Sequence, residues 1–141
     1  MFLIRRSKDM LDIAVEKFQG QVFDLCMHFS RYSIELSLKS VFPMFQLVLP
    51  REHDVSLQFS QNLRDQIQRK SEEFYNALIR LLWISQQHIS PDRFDLYGDP
   101  QSRTPPDLFV TPTEAKVALD NASQCYQQCC KLFDRVMVAE Q

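Results

Sequence analysis

Glycine is scarce in this chain, whose 141 residues include only Gly20 and Gly98. Tight turns depend on glycine because it reaches positive φ at little steric cost. No segment alternates apolar and polar residues with the period of two that is typical of strands. The sequence therefore predicts an all-α fold, an antiparallel bundle of four to five helices, in a single domain over residues 1–141.

The chain also lacks a basic excess and a long apolar run. Its formal net charge is −2, which argues against a general nucleic-acid binder but allows a local basic patch. No run approaches the roughly 20 apolar residues that span a bilayer. The opening MFLIRRSKDM places apolar residues before its arginines, the reverse of a secretory signal. We expect a cytoplasmic protein without membrane contact, with its four cysteines as reduced thiols.

Apolar spacing and helix-boundary residues indicate the helices of the bundle. Ser7 is a plausible N-cap for a first helix that ends near Gln19. The second begins near Gln21 beyond the break at Gly20, and Pro43 kinks or ends it. Asp54 is a good N-cap for the next helix. The remaining helical segments follow a possible corner within Gln58–Glu73 and cover about Ser71–Gln87 and Thr111–Met137.

A proline-rich segment separates the last two helices. Four of the seven prolines fall within Ser90–Val110, and proline disfavours helix there. We predict a loop over about residues 90–111, and long loops in compact domains are usually functional or flexible. The clearest local signal ends the loop, since Thr111, Pro112 and Glu114 form a capping box with proline at the first helical position.

A polar signature runs through the second helix and beyond it. Glu35, Leu38 and Lys39 form an E-x-x-L-K element, and His53-Asp54 follows. Later come Arg93, Asp95, Tyr97 and Pro100 in the loop, and then the Thr-Pro-Thr-Glu-Ala opening of the last helix. In this order and spacing, the chain resembles the HEPN family of small helical domains, which are often paired with a minimal nucleotidyltransferase.

Two departures from the family pattern bear on activity. Arg31 and Tyr32 stand where the family has paired glutamines. The R-x(4–6)-H motif of the family's metal-independent ribonucleases is absent, because seven residues separate Arg80 from His88 and no histidine follows Arg93. That chemistry needs an arginine for the phosphate and a histidine for proton transfer. We therefore expect no ribonuclease activity.

The resemblance implies a ligand site on the second helix. Arg31, Glu35 and Lys39 would line a cleft between helices, with Arg93 and Tyr97 at its rim. Glu35 and Lys39 also have the spacing of an ordinary surface ion pair, and the Tyr97 ring could simply pack the loop onto the bundle. Each pattern therefore has a structural as well as a functional interpretation.

Three functions remain open at this point. The first is a nucleotide- or RNA-binding protein, non-catalytic and homodimeric, that acts with a nucleotidyltransferase partner in a toxin–antitoxin or stress module. The second is a ribonuclease toxin with a divergent site, in which Arg93 holds the phosphate and His88 or Tyr97 replaces the missing histidine. The third is a helical protein–protein adaptor. None of them implies a cofactor.

Cysteine and histidine spacing argues against a metal site. Cys125 and Cys129 lie one turn apart, but structural zinc sites usually take four ligands from two segments. Core or interface packing explains these thiols better. The three histidines have no partner at ligand spacing, and His53 reads as a helix-start residue. Most aromatic residues fall on apolar faces; exposure of Trp83, Phe94 or Phe109 would indicate a partner surface.

Overall fold

Five helices make up the described part of the chain, which in this computed structural model comprises residues 2–51, 63–87, 101 and 110–139. No strand occurs among these residues, so the prediction of an all-α bundle is confirmed. None of the described helices is both long and apolar enough to cross a bilayer. In chain order the helices are α1 (Phe2–Gln19), α2 (Phe23–Met44), α3 (Arg64–Lys70), α4 (Glu72–Gln87) and α5 (Pro112–Ala139).

Helices α2 and α5 form the centre of the bundle. The most extensive packing joins α1 to α2, followed by α2 to α5, and both α1 and α4 also pack on α5. The end of α1 meets the beginning of α5, where the Lys116 ammonium lies 5.8 Å from the Phe18 ring centroid. The core draws on every one of these helices through buried aliphatic, aromatic and cysteine side chains, including Leu11, Phe42, Ile67, Leu78 and Leu132.

The first helix begins earlier than its sequence predicted. It starts at Phe2, so Ser7 lies inside the helix and is fully buried. The N-cap assignment for Ser7 was therefore wrong. Serine near a helix start reads as a cap because its hydroxyl can satisfy an unpaired backbone N–H. Here the hydroxyl of Ser7 instead contacts Ser33 and Ser37 on α2.

Gln21, rather than Gly20, adopts the left-handed conformation at the turn between α1 and α2. Gln21 has φ 62°, its N–H donates to Phe18 O at 3.0 Å, and the N–H of Val22 donates to Lys17 O at 2.8 Å. This pair of bonds is the Schellman arrangement, which satisfies carbonyls left over at a helix end. The break predicted at Gly20 is present, but the strained position follows it.

The same Schellman arrangement ends α2 at Met44, one residue after Pro43. Gln46 has φ 59°, its N–H donates to Pro43 O at 3.0 Å, and the Leu47 N–H donates to Phe42 O at 3.0 Å. The half-buried Leu47 also packs against the core. The prediction that Pro43 ends or kinks this helix is thus confirmed as a termination, although α2 runs well past Leu36.

Ser71 forms the predicted corner between α3 and α4. Its N–H donates to Ile67 O at 2.9 Å and ends α3. Its Oγ accepts from the Phe74 N–H at 3.3 Å and so caps α4. Arg135 on α5 secures this corner, with a guanidinium N–H 3.4 Å from Ser71 Oγ and the group lying 4.3 Å from the Phe74 ring centroid. Helix α4 therefore begins beside the end of α5.

The capping box predicted for α5 is formed in part, with the N-cap hydroxyl, and not the N-cap N–H, bonded to the glutamate side chain. The Glu114 N–H donates to Thr111 Oγ1 at 3.1 Å, and the Thr111 hydroxyl donates to Glu114 Oε1 at 3.1 Å. Pro112 occupies the first helical position, where its missing N–H costs nothing. The predicted N-cap at Asp54 and nearly all of the loop predicted over 90–111 lie outside the described residues.

Candidate functional site

Serine residues hold α1 against one side of α2. Ser30, Ser33, Ser37 and Ser40 recur at spacings of three and four on α2 and are all buried. Such spacing lines one face of a helix. Facing them, Ser7 donates to the Ser33 carbonyl at 2.9 Å while Ser33 donates back to the Ser7 carbonyl at 2.9 Å. Small hydroxyl side chains let the two helices approach closely here.

Charged residues occupy the other side of α2. Arg31, Glu35 and Lys39 follow one another at intervals of four residues, so they form a single row along the helix. At about 100° per residue, this row lies roughly half a turn round the helix from the serine face. The charged row therefore lies away from the contact with α1.

Lys39 is buried despite its charge. Its residue exposure is 8%, and it is the one buried charged residue in the part of the chain that the structure describes. Its Nζ donates to Glu35 Oε2 at 3.3 Å, with side-chain exposures of 11% and 16% respectively. Removing an ammonium group from water is costly unless it is paired and hydrogen-bonded. The Glu35 carboxylate supplies that pairing.

The other ion pairs among the described residues differ from this one. Lys8–Asp12 and Lys116–Asp120 also link residues four apart, at 2.6 and 3.1 Å. Their side chains are about half exposed, with 56% and 54% for Lys116 and Asp120. Exposed pairs of this kind contribute little because water screens them. The interpretation of Glu35 and Lys39 as a surface ion pair is therefore wrong for this structure.

The charged row suits recognition of an anion. Arg31 is half-buried one turn before Glu35, and the three residues together carry one net positive charge. An arginine and a lysine held at low exposure interact more strongly with a phosphate than exposed cations do. The Glu35 carboxylate already accepts from Lys39, so a ligand at this site must carry enough negative charge to compete with it.

The other predicted site residues come later in the chain than α2. His88, Arg93 and Tyr97 lie outside the described residues, as do His53 and Asp54. Of the five predicted ligand-binding residues, the structure therefore brings together Arg31, Glu35 and Lys39 on α2.

The thiols on α5 are packed, as predicted. Cys125 and Cys129 are buried, Cys130 is half-buried, and all are free. A hydrogen bond with Cys125, together with burial, raises the pKa of the Cys129 thiol well above its ordinary value. A hydrogen bond with Cys130 raises the pKa of Tyr126 to about 12. No group of three or more metal-ligand side chains occurs among the described residues.

These features define a class of protein, an all-α bundle with an internal ion pair on its second helix. The HEPN domain family model matches residues 1–132. The chain belongs to the HEPN family, whose functions relate to nucleotides and RNA. Comparison with curated proteins found no match, and comparison with solved structures found none either.

Proposed function

We propose that this protein binds the phosphate groups of a nucleotide or RNA segment through Arg31 and Lys39, without cleaving the ligand. Glu35 pairs with Lys39 in the unliganded protein. When a phosphate enters, the Lys39 ammonium shares its protons between the carboxylate and a phosphate oxygen. Arg31 supplies a planar set of donors that matches a phosphate edge.

The observation that carries this proposal is the burial of Lys39 beside Glu35. A purely structural role would be served as well by an apolar residue, since a buried ion pair often stabilises no more than well-packed hydrophobic groups do. Retaining two charges at this cost favours a role in binding. Membership of a family with nucleotide- and RNA-related functions points to the same class of ligand.

The absence of the R-x(4–6)-H motif supports binding without cleavage. Metal-independent cleavage of RNA needs a group that takes the proton from the ribose 2′-hydroxyl or gives one to the leaving oxygen. Arg31 carries only hydrogen-bond donors. Lys39 is held as the donor to a carboxylate. Neither cation of the row is therefore suited to act as a base, and the Glu35 carboxylate already accepts a hydrogen bond from Lys39.

The proposal extends to the assembly in which the site works. HEPN domains often form dimers and work with partners. We propose a homodimer in which Arg93 and Tyr97 lie at the rim of the ligand cleft, acting with a small nucleotidyltransferase in a toxin–antitoxin or stress module. An arginine at the rim would extend the positive charge along a bound nucleic acid.

Binding and cleavage by the purified protein test this function. ATP and a mixed RNA pool are each incubated with wild type, Arg31→Gln and Arg93→Ala, and both the bound fraction and the RNA length are measured. Saturable binding that Arg31→Gln weakens, with RNA of unchanged length, is the expected result. RNA shortening that Arg93→Ala abolishes would overturn the proposal in favour of a ribonuclease. If the protein binds neither ATP nor RNA, the result would favour a protein–protein adaptor.

A further inference from the structure

Trp83 is a large aromatic residue on the outside of the bundle. It is 62% exposed and is the single tryptophan of the chain. The same helix places Phe74, Leu78 and Leu81 inside the core. Trp83 is not part of this buried face. An exposed indole offers a flat apolar face with a polar N–H to a ligand or partner.

A cation accompanies this tryptophan. Arg80 is exposed on α4, three residues before Trp83, and residues three apart are neighbours on a helix surface. Asn76 is exposed one further turn back. The outer face of α4 thus carries an indole, a guanidinium and an amide in succession. A row that combines an aromatic plane with a cation fits a ligand with a flat ring and a negative charge.

Trp83 also lies at the same height on the bundle as the charged row of α2. Ser71, the cap of α4, lies beside Arg135 near the end of α5. The two helices run in opposite directions from this point, so Trp83, twelve residues after Ser71, is about level with Ser123, twelve residues before Arg135. Helices α2 and α5 begin at the same end of the bundle, where Cys26 of α2 contacts Ala115 of α5. Eight residues further along each helix, Ile34, the neighbour of Glu35, is therefore level with Ser123 as well. The two sites agree in height to within about one helical turn.

We infer that Trp83 is a base-stacking residue for single-stranded RNA, with Arg80 contacting the adjacent phosphate. This inference rests on the proposed function, because it assumes that the same RNA is held by the α2 row. Every base has a π-face, so an exposed tryptophan provides sequence-tolerant affinity. The guanidinium one turn away complements the charge of the strand. The formal charge of −2 for the whole chain makes such local cations the determinants of where RNA binds.

The size of the effect follows from the general strength of stacking. Removing an aromatic ring that stacks on one base weakens binding by roughly 5- to 150-fold. We expect Trp83→Ala to raise the Kd for a short single-stranded RNA within that range. Trp83→Phe retains a smaller ring and should lose less. Because the residue is largely exposed, neither substitution should change the melting temperature noticeably.

The intrinsic fluorescence of the single tryptophan reports stacking directly. The full-length protein is titrated with a short single-stranded RNA and, as a control, with an abasic strand of the same length. Stacking predicts quenching by the RNA but not by the abasic strand. Arg80→Gln should weaken RNA binding while leaving the quenching at saturation unchanged. Quenching of equal depth by both strands would overturn the inference.

Two variants separate this inference from the proposed function. RNA binding that Lys39→Met weakens and Trp83→Ala leaves unchanged would uphold the α2 site and overturn the stacking role. Binding that Trp83→Ala weakens and Lys39→Met leaves unchanged would uphold stacking alone. Absence of RNA binding overturns the stacking role, and absence of binding to both RNA and ATP overturns the proposed function as well. A blue shift of the emission with protein concentration alone would show that a second copy covers Trp83, and this too would overturn the inference.

Discussion

Ser7 and Ser33 exchange hydrogen bonds across the contact between α1 and α2. Each hydroxyl donates to the backbone carbonyl of the other residue at 2.9 Å, and both residues are fully buried. The hydroxyl of Ser7 also contacts that of Ser37. The reciprocal arrangement fixes the height of one helix against the other, because sliding by one residue would break every one of these bonds.

Substitution of Ser7 tests this contact. Ser7→Ala should reduce the free energy of unfolding by about 1–2 kcal/mol, since buried partners lose a donor. Ser7→Val should cost more, because it adds bulk where the helices approach closely. Chemical denaturation measures both changes. Ser123→Ala, at a more exposed serine of α5, is the control and should change stability by less than about 0.5 kcal/mol. Equal stability of the Val and Ala variants would contradict a close approach.

Replacing Gln21 with glycine should stabilise the turn after α1. Gln21 occupies the left-handed region, which costs a non-glycine residue about 1–2 kcal/mol. Gln21→Gly relieves that strain but increases the freedom of the unfolded chain. A net gain of about 0.5–1 kcal/mol is expected from thermal or chemical unfolding.

Gly20 provides the matched control for that change. A Cβ at Gly20 would approach Glu16 O to 3.5 Å, an ordinary contact. Gly20→Ala should therefore be tolerated or stabilise by up to about 1 kcal/mol, because alanine restricts the unfolded chain. Marked destabilisation by Gly20→Ala, together with no gain from Gln21→Gly, would contradict the assignment of the strained position to Gln21.

A double-mutant cycle should distinguish the ion pair on α2 from the exposed pairs. Substituting Lys39→Met and Glu35→Gln singly and together should give a coupling energy above about 0.5 kcal/mol, the upper end for an exposed helix pair. The double variant should be more stable than the sum of the single losses predicts, because neither charge is then left buried alone. The same cycle at Lys116 and Asp120 should give a coupling below that value. Equal couplings would show that burial adds nothing.

Thiol chemistry should distinguish Cys130 from the other three cysteines. The reactive form is the thiolate. Cys26, Cys125 and Cys129 are buried, and burial raises the pKa of Cys26. We expect one thiol per chain to react quickly with a water-soluble alkylating agent, and mass spectrometry should locate it at Cys130. Cys130→Ser should remove the fast reaction. Rapid labelling of Cys129 in the folded protein would contradict the packing of α5.

The helices with strong local signals could be predicted well from the sequence. The Thr111 cap fixes the start of α5 because its hydroxyl satisfies the backbone N–H of Glu114, three residues away. The corner at Ser71 follows similarly from a local break in the apolar pattern. Ser7 shows where local reasoning fails: its hydroxyl could cap a helix or bridge two helices, and α2, not the neighbouring sequence, determines which.

The residues of the candidate site could be predicted from the sequence, but their burial could not. The spacing of Arg31, Glu35 and Lys39 puts them in one row whatever surrounds the helix. Their exposure depends on distant elements, so a surface ion pair and an internal one have the same sequence pattern. The serine face was missed because serine reads as polar. Its spacing of three and four, Ser30, Ser33, Ser37 and Ser40, was the signal that could have revealed it.

The most direct test of the account compares two lysines that differ in burial but share the same helical pairing. The Kd for ATP is measured by calorimetry with wild type, Lys39→Met and Lys116→Met, after circular dichroism confirms that each variant is folded. A phosphate site on α2 predicts a loss of about tenfold or more for Lys39→Met, as for a charged hydrogen bond, and an unchanged Kd for Lys116→Met. Equal Kd values for wild type and Lys39→Met would contradict the central claim that the buried row binds phosphate.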